Sequence, residues 1–346
     1  MLTPDERARY ARHLALAEVG EAGQLRLKRS HVLVVGVGGL GSPVVLYLAA
    51  AGVGRVTLVD GDVVDASNLQ RQIVHGVSTL GLPKVESAQR RLLDVNPHIT
   101  VRAVAEHLTA SNAATLVGDC DVVVDASDNF ATRYLVNDAC IAAGKPVVHA
   151  SILRFEGQLT VFVPGRGPCY RCLFAEAPAA GLVPSCAEDG VLGVLPGMLG
   201  TMQANETLKI LLGIGEPLIG RLLVIDALAM QVQELRFAKR ADCPSCGPMR
   251  RPADVPPCPL PADIVDDAGE ATLVDVREAH EYAEGHFEGA LHLPLGELAE
   301  RQGELHGRDV VLYCRSGARA RRAWEMLRRS GLTRVKLLRH GFVEPR

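Results

Sequence analysis

The chain has 346 residues, of which 48% are apolar and 22% charged. That is an ordinary globular composition, with length for two or three domains. A formal charge of −3 and a single Trp give no electrostatic or stacking case for nucleic acid as the main partner. The charged start, MLTPDERARYAR, reads against a secretory signal peptide, so a soluble, cytoplasmic protein is expected, with no membrane partner.

Residues 5–29 read as a charged helix and a second short one, with Arg9 and Arg12 on one helix face. The stretch HVLVVGVGGLGSP (31–43) follows. Its unbroken apolar run predicts a parallel strand buried on both faces. The glycines let the backbone turn tightly toward a phosphate, and Pro43 suits the first turn of the next helix. Strand, glycine loop and helix N-terminus together make an anion site. Residues 32–54 carry no charge, as a membrane helix would, but the glycine cluster and Pro43 break the run.

Arg55 to Asp60 predicts a second buried strand ending in an acid, 19 residues beyond Gly41, where a carboxylate can bind ribose hydroxyls. Asn68, Arg71 and Lys84 come next, ahead of an amphipathic helix over 84–95. Two cations there suit a triphosphate better than a nicotinamide dinucleotide. An NAD-dependent oxidoreductase uses the same glycine loop but leaves Arg71 and Lys84 unexplained. Strands are expected at 99–105 and 121–126, helices at 109–117 and 131–143, and a further strand at 146–150. The 121–126 strand delivers Asp125, Asp128 and Asn129 to its carboxyl end, where open α/β sheets bind ligands. Asp128 reads as a Mg²⁺ ligand beside phosphate, and the N-cap of the following helix is a compatible reading of the same residue.

Residues 155–165 alternate as an antiparallel strand would. Cys169-Tyr-Arg-Cys172 and Cys243-Pro-Ser-Cys246, 70 residues apart, are two knuckles with the four thiolates of a tetrahedral Zn²⁺ site. Between them Cys186 stands in a Pro/Ser/Gly-rich loop, as an inert thiol or a nucleophile, ahead of an apolar helix over 194–212. Strands over 221–237 complete a first domain, 1–247. Residues 248–263 form a Pro-rich linker able to span about 40 Å. Residues 264–346 read as a small α/β domain in which a buried strand runs into Cys314-Arg315-Ser316-Gly317-Ala318-Arg319 and a helix starts at once. N–H groups, the helix dipole and two arginines there favour a thiolate or persulfide. A phosphatase loop has five residues between Cys and Arg. Here there are four, which suits a sulfur atom.

The motifs RYARH, GVGGLGSP, LVDGDVVDASNLQRQ, GLPKVESA, DASDN, CYRC and CPSC resemble the ThiF/MoeB/HesA family of ubiquitin-activating-enzyme-like adenylyltransferases. LVDVREAHEYAEGHFEGALHLP and CRSGARA resemble a rhodanese domain. The resemblance implies a Rossmann-like α/β domain with a structural zinc site, followed by a small α/β rhodanese domain. It implies that Gly39 approaches ATP and that Asp60 holds the ribose. Ser67, Asn68, Leu69, Gln70 and Arg71, with Lys84, would bind the phosphates, and Asp128 beside Asn129 would organise Mg²⁺. Arg12 would enter the ATP site of the other protomer of a homodimer. Cys186 would lie in a mobile loop over the site, and Cys314 would carry the persulfide. The implied activity is adenylation of the C-terminal glycine of a ubiquitin-like sulfur-carrier protein with a Gly-Gly tail. Sulfur transfer then gives a thiocarboxylate, with a persulfide donor such as a cysteine desulfurase. Molybdenum cofactor biosynthesis is the leading pathway, with thiamine, cysteine and tRNA-thiolation carriers as alternatives. The resemblance departs at LLRHGFVEPR, where His340 replaces one of two glycines and the family's terminal helix is missing.

Overall fold

The computed structural model describes residues 1–176, 190–247, 264–265, 267–315, 317–338 and 342. The expectations for Cys186, the linker at 248–263, Ser316 and His340 lie outside these residues.

Strand β1 (His31–Val35) is buried at every position. Its alternate side chains feed two cores: Val32 and Val34 pack on one face of the sheet, Leu33 and Val35 on the other. It pairs in parallel with β2 (Arg55–Val59) and with β4 (Val122–Asp125), and β2 pairs with β3 (Thr100–Val104). β5 (Val147–Leu153) continues the parallel set, while β6 (Glu156–Phe162), β7 (Arg221–Asp226) and β8 (Gln231–Arg236) turn antiparallel. The order is β3-β2-β1-β4-β5-β6-β7-β8. Chain direction across the sheet therefore reverses between β1 and β4, and the crevice at their carboxyl ends is the topological switch point where such sheets bind ligands.

Three helices precede β1, where two were expected: α1 (Pro4–Arg9), α2 (Ala11–Leu14) and α3 (Gly20–Arg29). The break falls at Tyr10, 4% exposed, whose hydroxyl accepts from Asn96 Nδ2 at 2.8 Å. Arg9 and Arg12 therefore lie on different helices and do not share one helix face. Arg9 instead donates to the Val95 carbonyl.

α4 (Gly41–Ala51), α5 (Lys84–Val95), α6 (Ala110–Gly118), α7 (Phe130–Ala143), α8 (Tyr170–Leu173) and α9 (Val194–Leu212) complete this unit. On α9 the buried Gln203 donates from Nε2 to the Asp125 and Val148 carbonyls at 2.8 and 3.2 Å, tying the helix to the ends of β4 and β5. Among the described residues no helix is long and apolar enough to cross a membrane.

The second unit is a five-stranded, all-parallel sheet in the order β11-β10-β12-β13-β9. Its strands are β9 (Ile264–Val265), β10 (Thr272–Asp275), β11 (Leu291–His292), β12 (Val310–Tyr313) and β13 (Val335–Leu338). Helices α10 (Ala279–Glu284), α11 (Leu298–Arg301) and α12 (Ala318–Arg329) pack around it. The segment over 286–295 contains β11. Two residues are too few for a periodic signal, and this strand forms by pairing with Val274 and Asp275. Trp324 is 1% exposed in the core of this unit.

Candidate functional site

The glycine loop leaves β1 at the switch point. Gly36 has φ +91°, and a β carbon on it would lie 2.8 Å from the Ala126 carbonyl; one on Gly41 would lie 2.1 Å from Gly36 O. Only glycine lets this loop pass so close to the β4 end and to itself. Arg71 lies over the loop, its Cγ 3.6 Å from where a β carbon of Gly39 would be, and it donates to Ser67 O at 3.1 Å. Ser67 and Asn68 sit in a single 3-10 turn, Ala66–Asn68, capped by Asp65, which accepts from Ser67 N and Oγ at 2.8 and 2.6 Å. Leu69 is half-buried and Gln70 exposed in the residues that follow.

Asp60 accepts the Val37 N–H at 2.8 Å and the Asp62 N–H at 2.9 Å, so it braces the glycine loop. Each carboxylate oxygen keeps lone-pair capacity for a hydroxyl. Desolvation at the strand end pushes this carboxyl above its ordinary range, with Lys84 pulling the other way. Lys84, at the start of α5, is buried and donates to Asp62 Oδ2 at 2.7 Å.

Across the crevice, Asp125 and His149 form a buried pair at 2.8 Å, and Asp125 also accepts from Ser127 N and Oγ. Both are 2% exposed. The pair shapes the turn carrying Asp128. The N-cap of α7 is Asn129, which accepts from Thr132 N at 2.9 Å, and not Asp128. The capping reading of Asp128 is thereby overturned: its carboxylate is exposed and, among the described residues, unpaired. Arg12 is likewise exposed on α2 with no described partner.

Two residues that periodicity and spacing did not single out support the loop. His75, buried, bridges Val37 O at 3.0 Å and Ser87 Oγ at 2.9 Å. Gln72, also buried, lies beside Gly38 and its Oε1 has no hydrogen-bond partner among the described residues. An orphaned buried acceptor at this loop fits a ligand that brings donors. The available signal was the polar density of SNLQRQIVH.

Cys169, Cys172, Cys243 and Cys246 converge. Sγ–Sγ distances are 3.5 Å for 169–243, 3.4 Å for 172–246 and 3.9 Å for 169–172, and all four sulfurs lie within 4.8 Å of one another. Burial and the neighbouring sulfurs push the Cys169 thiol up, and burial pushes Cys246 up to about 12. Four sulfurs this close cannot all carry a negative charge without a cation among them, so the donor set fits a tetrahedral metal ion.

In the second unit, β12 delivers Cys314 to the carboxyl end of its sheet. The residue is 1% exposed and its Sγ accepts the Gly317 N–H at 3.1 Å. Gly317, at φ +84°, turns the chain into α12. Arg315 is exposed and has no described partner. Arg319 differs from expectation: its guanidinium is already bridged by both nitrogens to Glu281.

A doubly wound sheet with a phosphate-type loop at its switch point and a four-cysteine knuckle, followed by a parallel sheet ending in a buried thiol, defines a two-domain nucleotide-dependent enzyme with a sulfur site. Residues 10–245 match the ThiF family and residues 262–344 the rhodanese-like domain. A probable adenylyltransferase/sulfurtransferase MoeZ of Mycobacterium tuberculosis is 42% identical over 99% of this chain and 93% of its own length. The adenylyltransferase and sulfurtransferase MOCS3 of Sus scrofa is 44% identical, covering 88% of this chain and 72% of itself. A sulfur carrier protein adenylyltransferase of Thermus thermophilus is 52% identical over 71% of this chain and 92% of itself. Among solved structures, E. coli MccB with MccA-N7isoASN aligns at TM-score 0.61 and 23% identity, over 70% of this chain and 74% of that one, a likeness of fold. The chain belongs to the ThiF family and carries a rhodanese-like domain. It is an enzyme of the adenylyltransferase and sulfurtransferase type.

Proposed function

We propose that this enzyme adenylates the C-terminal glycine of a ubiquitin-like sulfur carrier and then converts it to a thiocarboxylate with sulfur from Cys314. The observation that carries the reading is the convergence on one switch point of the glycine loop, Arg71, Lys84 and an Asp128 that is unpaired among the described residues.

The carrier's carboxylate is ionised at neutral pH, so it attacks the α-phosphate of ATP with no general base, and pyrophosphate leaves. Catalysis is then positioning and charge neutralisation. Arg71 and Lys84 face the phosphates, and Arg12 from a second copy of the chain adds a third cation, which makes the enzyme a homodimer. Asp128 would hold Mg²⁺ against the phosphates, supplying further positive charge there. Asp60 takes the ribose hydroxyls. The four-cysteine knuckle holds structural Zn²⁺.

The Cys314 persulfide attacks the adenylated carbonyl and AMP leaves, giving an acyl disulfide. A thiol then attacks the Cys314 sulfur and the thiocarboxylate departs with the electron pair. Cys186 is the candidate for that thiol by its place in the sequence. A cytoplasmic setting, with a cysteine desulfurase as donor, matches this chemistry.

The test is mass spectrometry of carriers from the molybdopterin, thiamine, cysteine and tRNA-thiolation systems, incubated with enzyme, ATP, Mg²⁺ and a persulfide source. A carrier that gains one sulfur with wild type and none with Cys314→Ala names the substrate. Adenylation with sulfur transfer indifferent to Cys314 would overturn the second half of the reading.

A further inference from the structure

The persulfide loop carries two arginines, but one is occupied. Glu281 on α10 meets Arg319 through Nη1–Oε2 at 2.5 Å and Nη2–Oε1 at 2.7 Å. The Glu278 N–H, at 3.1 Å from Oε2, fixes the same carboxylate from a third side. The two side chains are only 20% and 33% exposed, so water screens the bridge incompletely. Arg319 is within electrostatic reach of the Cys314 sulfur, and the acids Glu281 and Glu278 are within reach of Arg319. Arg315, exposed and without a described partner, is the other cation of the loop. Glu281 thus cancels one of the two positive charges that the loop sequence offers, and Glu278 lowers the balance further.

Charge count matters to the sulfur donor. An inorganic donor such as thiosulfate is a small dianion that needs two cations to replace its water. A cysteine persulfide at the end of a protein side chain brings one negative charge and gains the rest of its binding energy from the protein around it. We propose that Glu281 is a donor-selectivity residue: by occupying Arg319 it disfavours small inorganic dianions at Cys314 and leaves the site to the persulfide of a protein cysteine. The inference rests on the sulfur-transfer reading of the loop and names its donor class. With either donor the Cys314 thiolate attacks the outer, sulfane sulfur. The new S–S bond makes the Cys314 persulfide, the donor's own bond to that sulfur breaks, and sulfite or the donor cysteine thiolate leaves with the electron pair.

The experiment uses the full chain as wild type, Glu281→Gln, Glu281→Asp, Arg319→Gln and the Glu281→Gln/Arg319→Gln double variant. The rate at which Cys314 gains one sulfur is read by intact mass with thiosulfate, and separately with a cysteine desulfurase and free cysteine. Glu281→Gln keeps the shape and one hydrogen bond to Arg319 and removes the charge. It is expected to raise the thiosulfate-to-desulfurase rate ratio roughly tenfold, through a lower thiosulfate KM and a steeper salt dependence, the scale on which one partly screened unit charge acts. Arg319→Gln bares Glu281 and should move the ratio the opposite way. Glu281→Asp should stay near wild type, and the double variant should lose the gain. Opposite shifts are not produced by loss of a brace. If both variants lower both rates together, or the ratio moves less than twofold, Glu281 is a brace and the proposal is wrong. If wild-type Cys314 gains sulfur from neither donor, the sulfur-transfer reading fails and the proposal falls with it.

Discussion

Lys84 Nζ donates to Asp62 Oδ2 at 2.7 Å, and the two side chains differ sharply in exposure, 8% for the lysine and 57% for the acid. A nearly buried cation is thus held at the mouth of the switch-point crevice by a carboxylate that faces water. On the proposed reading, Asp62 releases Lys84 to an incoming phosphate at low cost, because a water-facing carboxylate gains little from the pair. Lys84→Ala removes a preorganised charge and is expected to lower ATP–pyrophosphate exchange about 100-fold or more. Asp62→Asn, which leaves the cation in place, should cost less than about tenfold. Equal losses in the two variants would contradict this division of roles.

Asp128 and Asn129 are adjacent but separable. Asn129 caps α7, and Asn129→Ala should cost about 1 kcal/mol of stability, read as a shift in the denaturation midpoint. Asp128 makes no described contact, so Asp128→Asn should leave the midpoint where it is while strongly reducing Mg²⁺-dependent pyrophosphate exchange. A midpoint shift in Asp128→Asn would show that its role is structural.

This pair also marks the limit of what the sequence reveals. DASDN offers two N-cap residues in a row, and which one caps depends on the turn geometry set by the buried Asp125–His149 pair, a contact across 24 residues. The parallel core was legible because Val32–Val35, Arg55–Val59 and Val122–Asp125 are short, mainly apolar and β-branched runs, which read as strands covered on both sides. The helix break at Tyr10 was not legible: the residue is buried and its hydroxyl is bonded by Asn96, 86 residues away. Gln72 and His75 escaped for the same reason: a side chain that braces a glycine loop from a distant segment leaves no periodic signature. Arg319 was readable as a cation of the Cys314 loop, but its neutralisation by Glu281 is a contact spanning 38 residues.

The four-cysteine knuckle joins α8 to the segment after β8, two parts of the chain that no other described metal-type cluster connects. Cys243→Ser should abolish stoichiometric zinc, measured by atomic emission on the purified protein, and lower the melting temperature by roughly 10 °C. Chelator treatment of wild type should reproduce the loss of stability, and added Zn²⁺ should restore it for wild type and not for the variant. A wild-type protein purified without metal and stable to chelator would remove the structural-zinc proposal.

The Glu281–Arg319 bridge carries a pH signature in stability that is independent of sulfur chemistry. The Arg319 guanidinium, ahead of the opposing cost of burial, holds the Glu281 carboxyl at about 2, against 4.5 for an unperturbed glutamate. A carboxyl depressed in the folded state contributes in full above its unfolded pKa, and that contribution fades as pH falls toward the folded value. The stabilisation from Glu281 is therefore complete above about pH 5, shrinks between about 4.5 and 2, and is gone below both values. Glu281→Gln should accordingly lower the denaturation midpoint of the second unit near neutral pH, and the gap from wild type should narrow steadily as pH is taken from about 5 to about 3. The measurement is parallel denaturant titration of the two proteins, followed by the fluorescence of Trp324, the single tryptophan of the chain, buried in that unit's core. A gap that stays constant over this range would mean that Glu281 stabilises the fold through packing and not through its charge.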